Sequence, residues 1–176
     1  MTAGPNSEDG VPTPEIPDKG DETWQSVPLT EAERAKIIAR QTWRFMLTIL
    51  GEGLKATPLD PIDHMLALAI GTANLSHIDS SPEATRRNAG HIEPDEMRRG
   101  ISRGAIARTL SMPAETVRRR LNALIENKIL IEREDGIILA ADNPLGIGSR
   151  QDLWQVHARQ FERLLRELRV RGISFD

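Results

Sequence analysis

The side chains best suited to chemistry are concentrated in Pro113–Asn127, which reads PAETVRRRLNALIEN. Four apolar positions recur at the spacing of one helix face: Val117, Leu121, Leu124 and Ile125. At about 100° per residue from that stripe, Arg119 points almost directly away from the core, and Glu115 and Thr116 lie beside it. The outer face therefore combines positive charge with hydrogen-bonding groups, and it suits an anionic partner that presents donors and acceptors.

A shorter helix and a break precede this stretch. Ser102 is a favoured N-cap for a helix that runs through Leu110. Ser111-Met112-Pro113 then ends that helix, because proline disfavours helical geometry in the residue before it and fits the first turn of a new helix. The two helices and the break between them predict a helix-turn-helix.

Two short β-branched runs follow the second helix. Ile129-Leu130-Ile131 and Ile137-Ile138-Leu139 are separated by a turn that contains Asp135-Gly136, which is a hairpin signal. The order helix, turn, helix and hairpin predicts a fold that is mainly α, a winged helix-turn-helix with a small β-hairpin wing and flanking N- and C-terminal helices.

The stretch Ile106–Leu139 resembles the DNA-binding domain of the Crp-type bacterial transcriptional regulators. The matching features are the word Pro113–Arg119, the Leu121/Leu124 spacing, and Asn127–Leu130 leading into the hairpin. In that family the Glu and the second basic residue of the word reach base edges, which by resemblance implies these roles for Glu115 and Arg119. Ala114 stands where the family commonly has an Arg that reads guanine, so the family's operator sequence is not implied here.

The expected function is sequence-specific binding of double-stranded DNA by a dimeric transcriptional regulator. The recognition helix 113–127 would enter the major groove and the wing 129–139 would lie on the backbone. The expected base-contacting residues are Glu115, Thr116 and Arg119. The expected phosphate-contacting residues are Ser102, Arg103, Ser111, Arg118, Arg120 and Arg133.

The net charge of −3 hides an asymmetry along the chain. Residues 98–171 carry 15 Lys and Arg against 9 Asp and Glu, whereas residues 1–97 carry 8 against 16. A basic half joined to an acidic half favours a nucleic-acid binder whose acidic part faces elsewhere.

The chain divides into four parts. They are a disordered, acidic, Pro-rich tail at 1–28, an N-terminal helix at 30–53, the winged unit at 58–140, and a C-terminal amphipathic helix at 150–171. Within the winged unit, residues 79–100 read as a long polar loop with the pairs Arg86-Arg87 and Arg98-Arg99. These arginine pairs would either follow the DNA backbone or belong to a mobile, solvated excursion.

The two flanking helices are the expected dimer interface, at 30–50 and 150–171. The first has a capping box at Thr30–Glu33 and is apolar over more than one stripe, so it needs cover on two sides. In the second, Trp154, Phe161 and Leu168 repeat every seven residues, which suits a helix partner. This placement of terminal helices is similar to that of the MarR-type regulators. The alternative is that both helices only complete a monomeric core.

Several function classes are disfavoured. The chain has no Cys, and no nucleophile motif, phosphate loop or metal-ligand spacing has the structural context it requires. We therefore expect neither enzymatic activity nor a bound metal or cofactor. No apolar run is long enough to span a membrane, and a cytoplasmic location is expected. The main alternative function is a winged-helix protein-interaction module that does not read DNA. A further expectation is a small-molecule effector pocket between the dimer helices and the winged unit. The sequence does not indicate which ligand would bind there.

Overall fold

The computed structural model describes residues 28–175 as a mainly helical chain with one antiparallel hairpin. Its elements are α1 (Glu31–Ala56), α2 (Pro61–Asp79), α3 (Pro82–Asn88), α4 (Arg103–Thr109), α5 (Ala114–Glu126), β1 (Leu130–Arg133), β2 (Gly136–Leu139) and α6 (Gln151–Val170). The prediction of a mainly α chain with a small two-stranded sheet is therefore confirmed. The predicted tail lies, apart from Pro28, outside the described residues. No helix in the described part is long and apolar enough to cross a membrane.

Helix α1 begins at the predicted capping box. The Thr30 amide donates to Glu33 Oε2 at 2.9 Å, and the Glu33 amide donates back to Thr30 Oγ1 at 3.3 Å. The helix ends later than predicted: it continues through Gly51 and Gly53 to Ala56. Gly53 does not end the helix. It allows His64 of α2 to pack closely against α1, since a Cβ at Gly53 would lie 2.4 Å from His64 Nε2.

The stretch 79–100 is not the long polar loop that the sequence suggested. It contains α3 and a single 3-10 turn at Asp95–Met97. Ser81 caps α3 by accepting from the Ala84 amide at 3.3 Å, and Pro82 follows in the first turn. Arg98 is buried and donates to the carbonyls of Glu93 and Leu139, at 3.0 Å through Nε and Nη1 respectively. Arg98 therefore holds this segment against β2 and is not free to contact phosphates.

The core lies between α2, α4, α5 and the hairpin. Its fully buried side chains include Leu66, Ile70, Ile106, Val117, Leu121, Leu124, Leu130 and Ile137. β1 pairs with β2 from Leu130↔Leu139 to Arg133↔Gly136, and an isolated antiparallel bridge joins Ile101 to Ile137. The following helix, α4, begins at Arg103, so Ile101 lies before it and extends the sheet.

Asn74 of α2 connects the helices to this sheet. Its fully buried side chain donates through Nδ2 to the Arg99 carbonyl at 2.7 Å and to the Ile137 carbonyl at 3.1 Å. Its Oδ1 accepts from the Leu139 amide at 2.9 Å. One amide side chain thus satisfies backbone groups on β2 and on the segment that precedes α4, which fixes the hairpin relative to α2.

Helices α1 and α6 form an antiparallel pair. The rings of Phe45 and Phe161 meet edge to face with centroids 6.0 Å apart, and Arg150 at the start of α6 donates to the carbonyl of Ala56 at the end of α1 at 3.0 Å. Few residues of the pair are buried, namely Gln41 and Gly53 on α1 and Leu168 on α6. We call this pair the two-helix arm.

The two glycines near the end of α1 give a matched test of the packing on His64. Gly51→Ala should stabilise the protein by up to about 1 kcal/mol, because alanine favours a helix and a Cβ at Gly51 meets nothing within 4 Å. Gly53→Ala should instead destabilise it by about 1–3 kcal/mol, because the added Cβ overlaps the His64 ring. Denaturant unfolding of both variants measures the difference, and equal effects would contradict the contact.

Candidate nucleic-acid interface

The outer face of α5 carries the predicted base-contacting residues, and Arg119 is the most available of them. Val117, Leu121 and Leu124 are buried as predicted, which leaves Arg119 exposed on the opposite side. Among the described residues, the Arg119 side chain has no hydrogen bond or ion pair, so its guanidinium keeps all its donors for an external group. Thr116 is half-buried and lies one turn before Arg120.

Glu115 is already engaged by a neighbour on the same helix. Arg118 donates through Nε to Glu115 Oε2 at 2.8 Å and through Nη2 to Oε1 at 2.6 Å. These hydrogen bonds lower the pKa of Glu115, so the carboxylate is ionised at neutral pH and cancels the charge of Arg118. Contacts from Glu115 to a base or from Arg118 to a phosphate would each require this exposed pair to open.

Arg103 joins three elements. Its Nη2 contacts both carboxylate oxygens of Glu132 on β1 at 3.0 Å, and its Nη1 donates to Asn122 Oδ1 on α5 at 2.8 Å. The side chain is partly buried in this network. Arg103 therefore positions the hairpin against α4 and α5, which is a different role from the phosphate contact that the sequence suggested.

Arg120 connects α5 to the start of α2. It donates to Asp60 Oδ2 at 2.6 Å and to Asp63 Oδ1 at 2.8 Å, both at the start of α2. Its side chain is 22% exposed, and its charge is matched by two carboxylates. The predicted phosphate contact of Arg120 is therefore corrected, because this residue faces α2 and not the outer face of α5.

At the turn of the hairpin, Arg133 and Asp135 face each other at 3.1 Å. Arg133 also donates to the Asp95 carbonyl at 2.8 Å, and the Gly100 amide donates to Asp135 Oδ2 at 2.8 Å. The Gly100 hydrogen bond, aided by Arg133, lowers the pKa of Asp135. The hairpin tip is thus held against the segment before α4, and the charge of Arg133 is largely compensated.

The start of α5, directly after the turn from α4, offers backbone donors. Ser102 caps α4 by accepting from the Ala105 amide at 3.2 Å, and Ser111 in the turn has a left-handed φ of 51°. Pro113 supplies no side-chain cap to α5, so the first amides of this helix have no partner from a capping side chain. An uncapped helix N-terminus with exposed amides suits a phosphate oxygen.

Three further exposed cations lie outside the expected set of phosphate-contacting residues, although one alternative placed the Arg98-Arg99 pair along the DNA backbone. Arg99, Arg108 and Lys128 are exposed and, within residues 28–175, have no side-chain ion pair or hydrogen bond. Arg99 precedes the bridge at Ile101, Arg108 lies on α4, and Lys128 follows α5. The sequence offered only weak signals for them: Arg99 belongs to an Arg pair, and Lys128 to the word that resembles the Crp-type domain.

The described residues contain no group of three or more His, Cys, Asp or Glu side chains that could hold a metal ion. Comparison of the chain with protein-family models, with curated proteins and with solved structures gave no significant match.

The pairing of Arg120 predicts a pH-dependent contribution to stability. Arg120→Met should lower the free energy of unfolding by about 1 kcal/mol near pH 7, because Asp60 and Asp63 lose their shared partner. The hydrogen bond from Arg120 lowers the pKa of Asp60 from its usual 3.8, so this stability is present above pH 3.8 and is lost as the pH falls through the lowered value. The difference between wild type and variant, measured by urea unfolding, should therefore shrink in acid.

Arg119→Met is the matched control for that experiment. It removes the same group from a neighbouring position that has no partner, so stability should change by less than about 0.5 kcal/mol at any pH. A loss as large as that of Arg120→Met would contradict the difference between the two arginines.

Proposed function

We propose that this chain is a dimeric, sequence-specific DNA-binding transcriptional regulator of the winged helix-turn-helix type. In this proposal α4 and α5 form the helix-turn-helix, α5 enters the major groove, and β1–β2 is the wing. The observation that carries the proposal is the exposed Arg119, which has no ion pair or hydrogen bond within residues 28–175 and lies at the centre of the outer face of a helix whose other side is packed on the core.

The base-reading role falls first on Arg119. A guanidinium with free donors can form two parallel hydrogen bonds with guanine O6 and N7, which is the commonest specific contact in the major groove. Glu115 and Thr116 lie four and three residues earlier, on the same side of α5, so they would reach neighbouring base pairs. Glu115 would contact a base after exchanging its Arg118 partner, and the released Arg118 would then be free for a phosphate.

The phosphate contacts differ from those expected from the sequence alone. The uncapped start of α5, together with Ser102 and Ser111 around the turn, remains suited to the backbone. Arg99, Arg108 and Lys128 supply cations that no carboxylate compensates within residues 28–175. Arg103 and Arg133 contribute indirectly, since their ion pairs fix the orientation of the wing.

The two-helix arm supports the dimer part of the proposal. On α1, Gln41, Phe45 and Thr48 face α6. Trp43 and Leu47, which are 64% and 71% exposed, lie on the other side of that helix. A single chain thus leaves the apolar side of α1 in water, which is uncommon unless a partner covers it.

Helix α6 adds a second uncovered apolar stripe. Trp154, Phe161 and Leu165 are 40%, 50% and 38% exposed and follow the spacing of a helix-packing face. A second copy that packs its own arm against these stripes would cover both in one two-fold interface. Two recognition helices would then meet successive major grooves, about 34 Å apart.

One observation favours the alternative of a protein-interaction module. Arg103, Arg118, Arg120 and Arg133 all have carboxylate partners, so the winged unit presents less positive charge than its sequence suggests. Salt dependence separates the two functions. DNA binding through several phosphates weakens steeply with salt, whereas docking through apolar helices does not.

Binding to a pool of genomic fragments from the source organism, measured across a salt series, tests the DNA-binding proposal. We expect selective, salt-steep binding, with Arg119→Ala weakening specific affinity by about 1–3 kcal/mol. Arg159→Ala removes the same charge from an exposed position on α6 and should leave affinity unchanged. Selective binding that Arg119→Ala does not weaken would remove Arg119 from the reading face, and the absence of any selectivity would favour the interaction module.

The oligomeric state of the protein tests whether the two-helix arm forms a dimer interface. Leu47→Glu should convert the dimer to a monomer in sedimentation equilibrium without unfolding it, because the substitution places a charge on a side chain that is already solvent-exposed in the single chain. Gln155→Glu adds the same charge to an exposed position of α6 and should leave the dimer intact. A wild-type protein that is monomeric at all concentrations would contradict the proposed interface.

A further inference from the structure

A cavity of about 200 Å³ lies where the two-helix arm meets α2 and the connector between β2 and α6. Its walls are mostly apolar and come from all four segments: Ile49, Leu68, Leu145, Ile147, Leu153 and Trp154. Pockets for drug-sized ligands usually measure about 300–1,000 Å³, so this smaller volume suits a compact molecule of roughly one ring.

The hydrogen-bonding state of His64, which also lines the cavity, can be assigned from its partner. Thr57 Oγ1 donates to the Gly53 carbonyl at 3.2 Å, and Thr57 Oγ1 lies 3.3 Å from His64 Nδ1. Because the hydroxyl hydrogen is already used, His64 Nδ1 must donate and its Nε2 carries the lone pair. Burial lowers the pKa of His64, and the neighbouring His157 lowers it further, so this imidazole stays neutral at physiological pH.

A second imidazole of the cavity wall lacks a partner. Within residues 28–175, His157 Nε2 is buried and has no hydrogen bond. Buried polar atoms without a partner are rare in folded proteins and commonly mark the place of a water molecule or a ligand. The guanidinium at the rim, Arg150, is already matched by Asp152 and by the Ala56 carbonyl. The cavity therefore offers a hydrogen-bonding group at His157, while the guanidinium at its rim is already paired.

We propose that this cavity is a binding site for a small, uncharged ring compound that carries one hydroxyl or N–H group. The ring would contact the apolar walls, and the polar group would hydrogen-bond to the imidazole of His157. An anionic ligand is disfavoured, because moving a charged group from water into this mostly apolar chamber is costly. The proposal concerns ligand binding alone, so it holds or fails independently of whether the chain reads DNA.

Phenol is a suitable probe, with toluene as the analogue that lacks the hydroxyl and benzoate as the charged analogue. Each compound is titrated into the full chain, and the NMR shifts of the Ile49 and Ile147 methyl groups are monitored. Because both residues line the cavity, these shifts report whether the ligand binds there. We expect saturable binding of phenol with a dissociation constant on the order of 0.1–1 mM. Toluene should bind about tenfold more weakly, since it cannot make the hydrogen bond. Benzoate should bind more weakly than phenol.

Three variants sharpen the test. His157→Leu keeps an apolar wall but removes the hydrogen-bonding group, so the preference for phenol over toluene should disappear. Leu68→Trp fills the cavity from a position that is 40% exposed and should abolish binding of both. His77→Leu removes an imidazole that does not line the cavity and should change neither affinity. Absence of saturable methyl shifts, binding that survives Leu68→Trp in a folded protein, or tighter binding of benzoate than of phenol would each overturn the proposal.

Discussion

The side chain of Asn74 makes the interaction on which the arrangement of the hairpin against the helices depends. It lies in the apolar interior of α2, yet all three of its hydrogen bonds go to backbone groups of other segments. A buried amide is costly unless it is fully hydrogen-bonded, so only one placement of the hairpin against α2 satisfies it. Apolar packing between helix and hairpin tolerates small shifts, whereas three directional hydrogen bonds do not. The bridge between Ile101 and Ile137 depends on the same alignment.

Ion pairs then determine which basic side chains remain available. Arg103 and Arg133 hold the hairpin, Arg120 holds α5 against the start of α2, and Arg118 is matched within α5. The positive charges of these four guanidinium groups are compensated by carboxylates within the fold. Arg119, which has no partner among residues 28–175, lies exposed at the middle of the outer face of α5. The proposed reading surface is consequently narrow, and its rim is formed by backbone amides and by cations that lie beside the helix.

The two-helix arm and the cavity at its base have a common origin. α1 and α6 pack on each other, and the end of α1 and the start of α6 line the cavity together with α2 and the connector between β2 and α6. Where two bodies meet over a small area, side chains fill the space incompletely, which leaves a chamber lined by residues from both. The absence of a side chain at Gly53 lets His64 approach α1 closely, and this contact closes one wall of that chamber.

The sequence by itself determined the elements whose signals are local. The capping box at Thr30, the Asp60-Pro61 opening of α2, the buried stripe of α5 and the Asp135-Gly136 hairpin are all set by neighbours within a few residues. The sequence does not predict α3, because the cap of this helix, Ser81-Pro82, lies in a polar context with no apolar periodicity. Tertiary structure decided the ion pairs of Arg120 and Arg103, since their nearest carboxylate partners lie 57 and 29 residues away in the chain. It also decided that Asn74 meets β2 and that two histidines share a cavity, because such contacts depend on distances between elements, which no local pattern encodes.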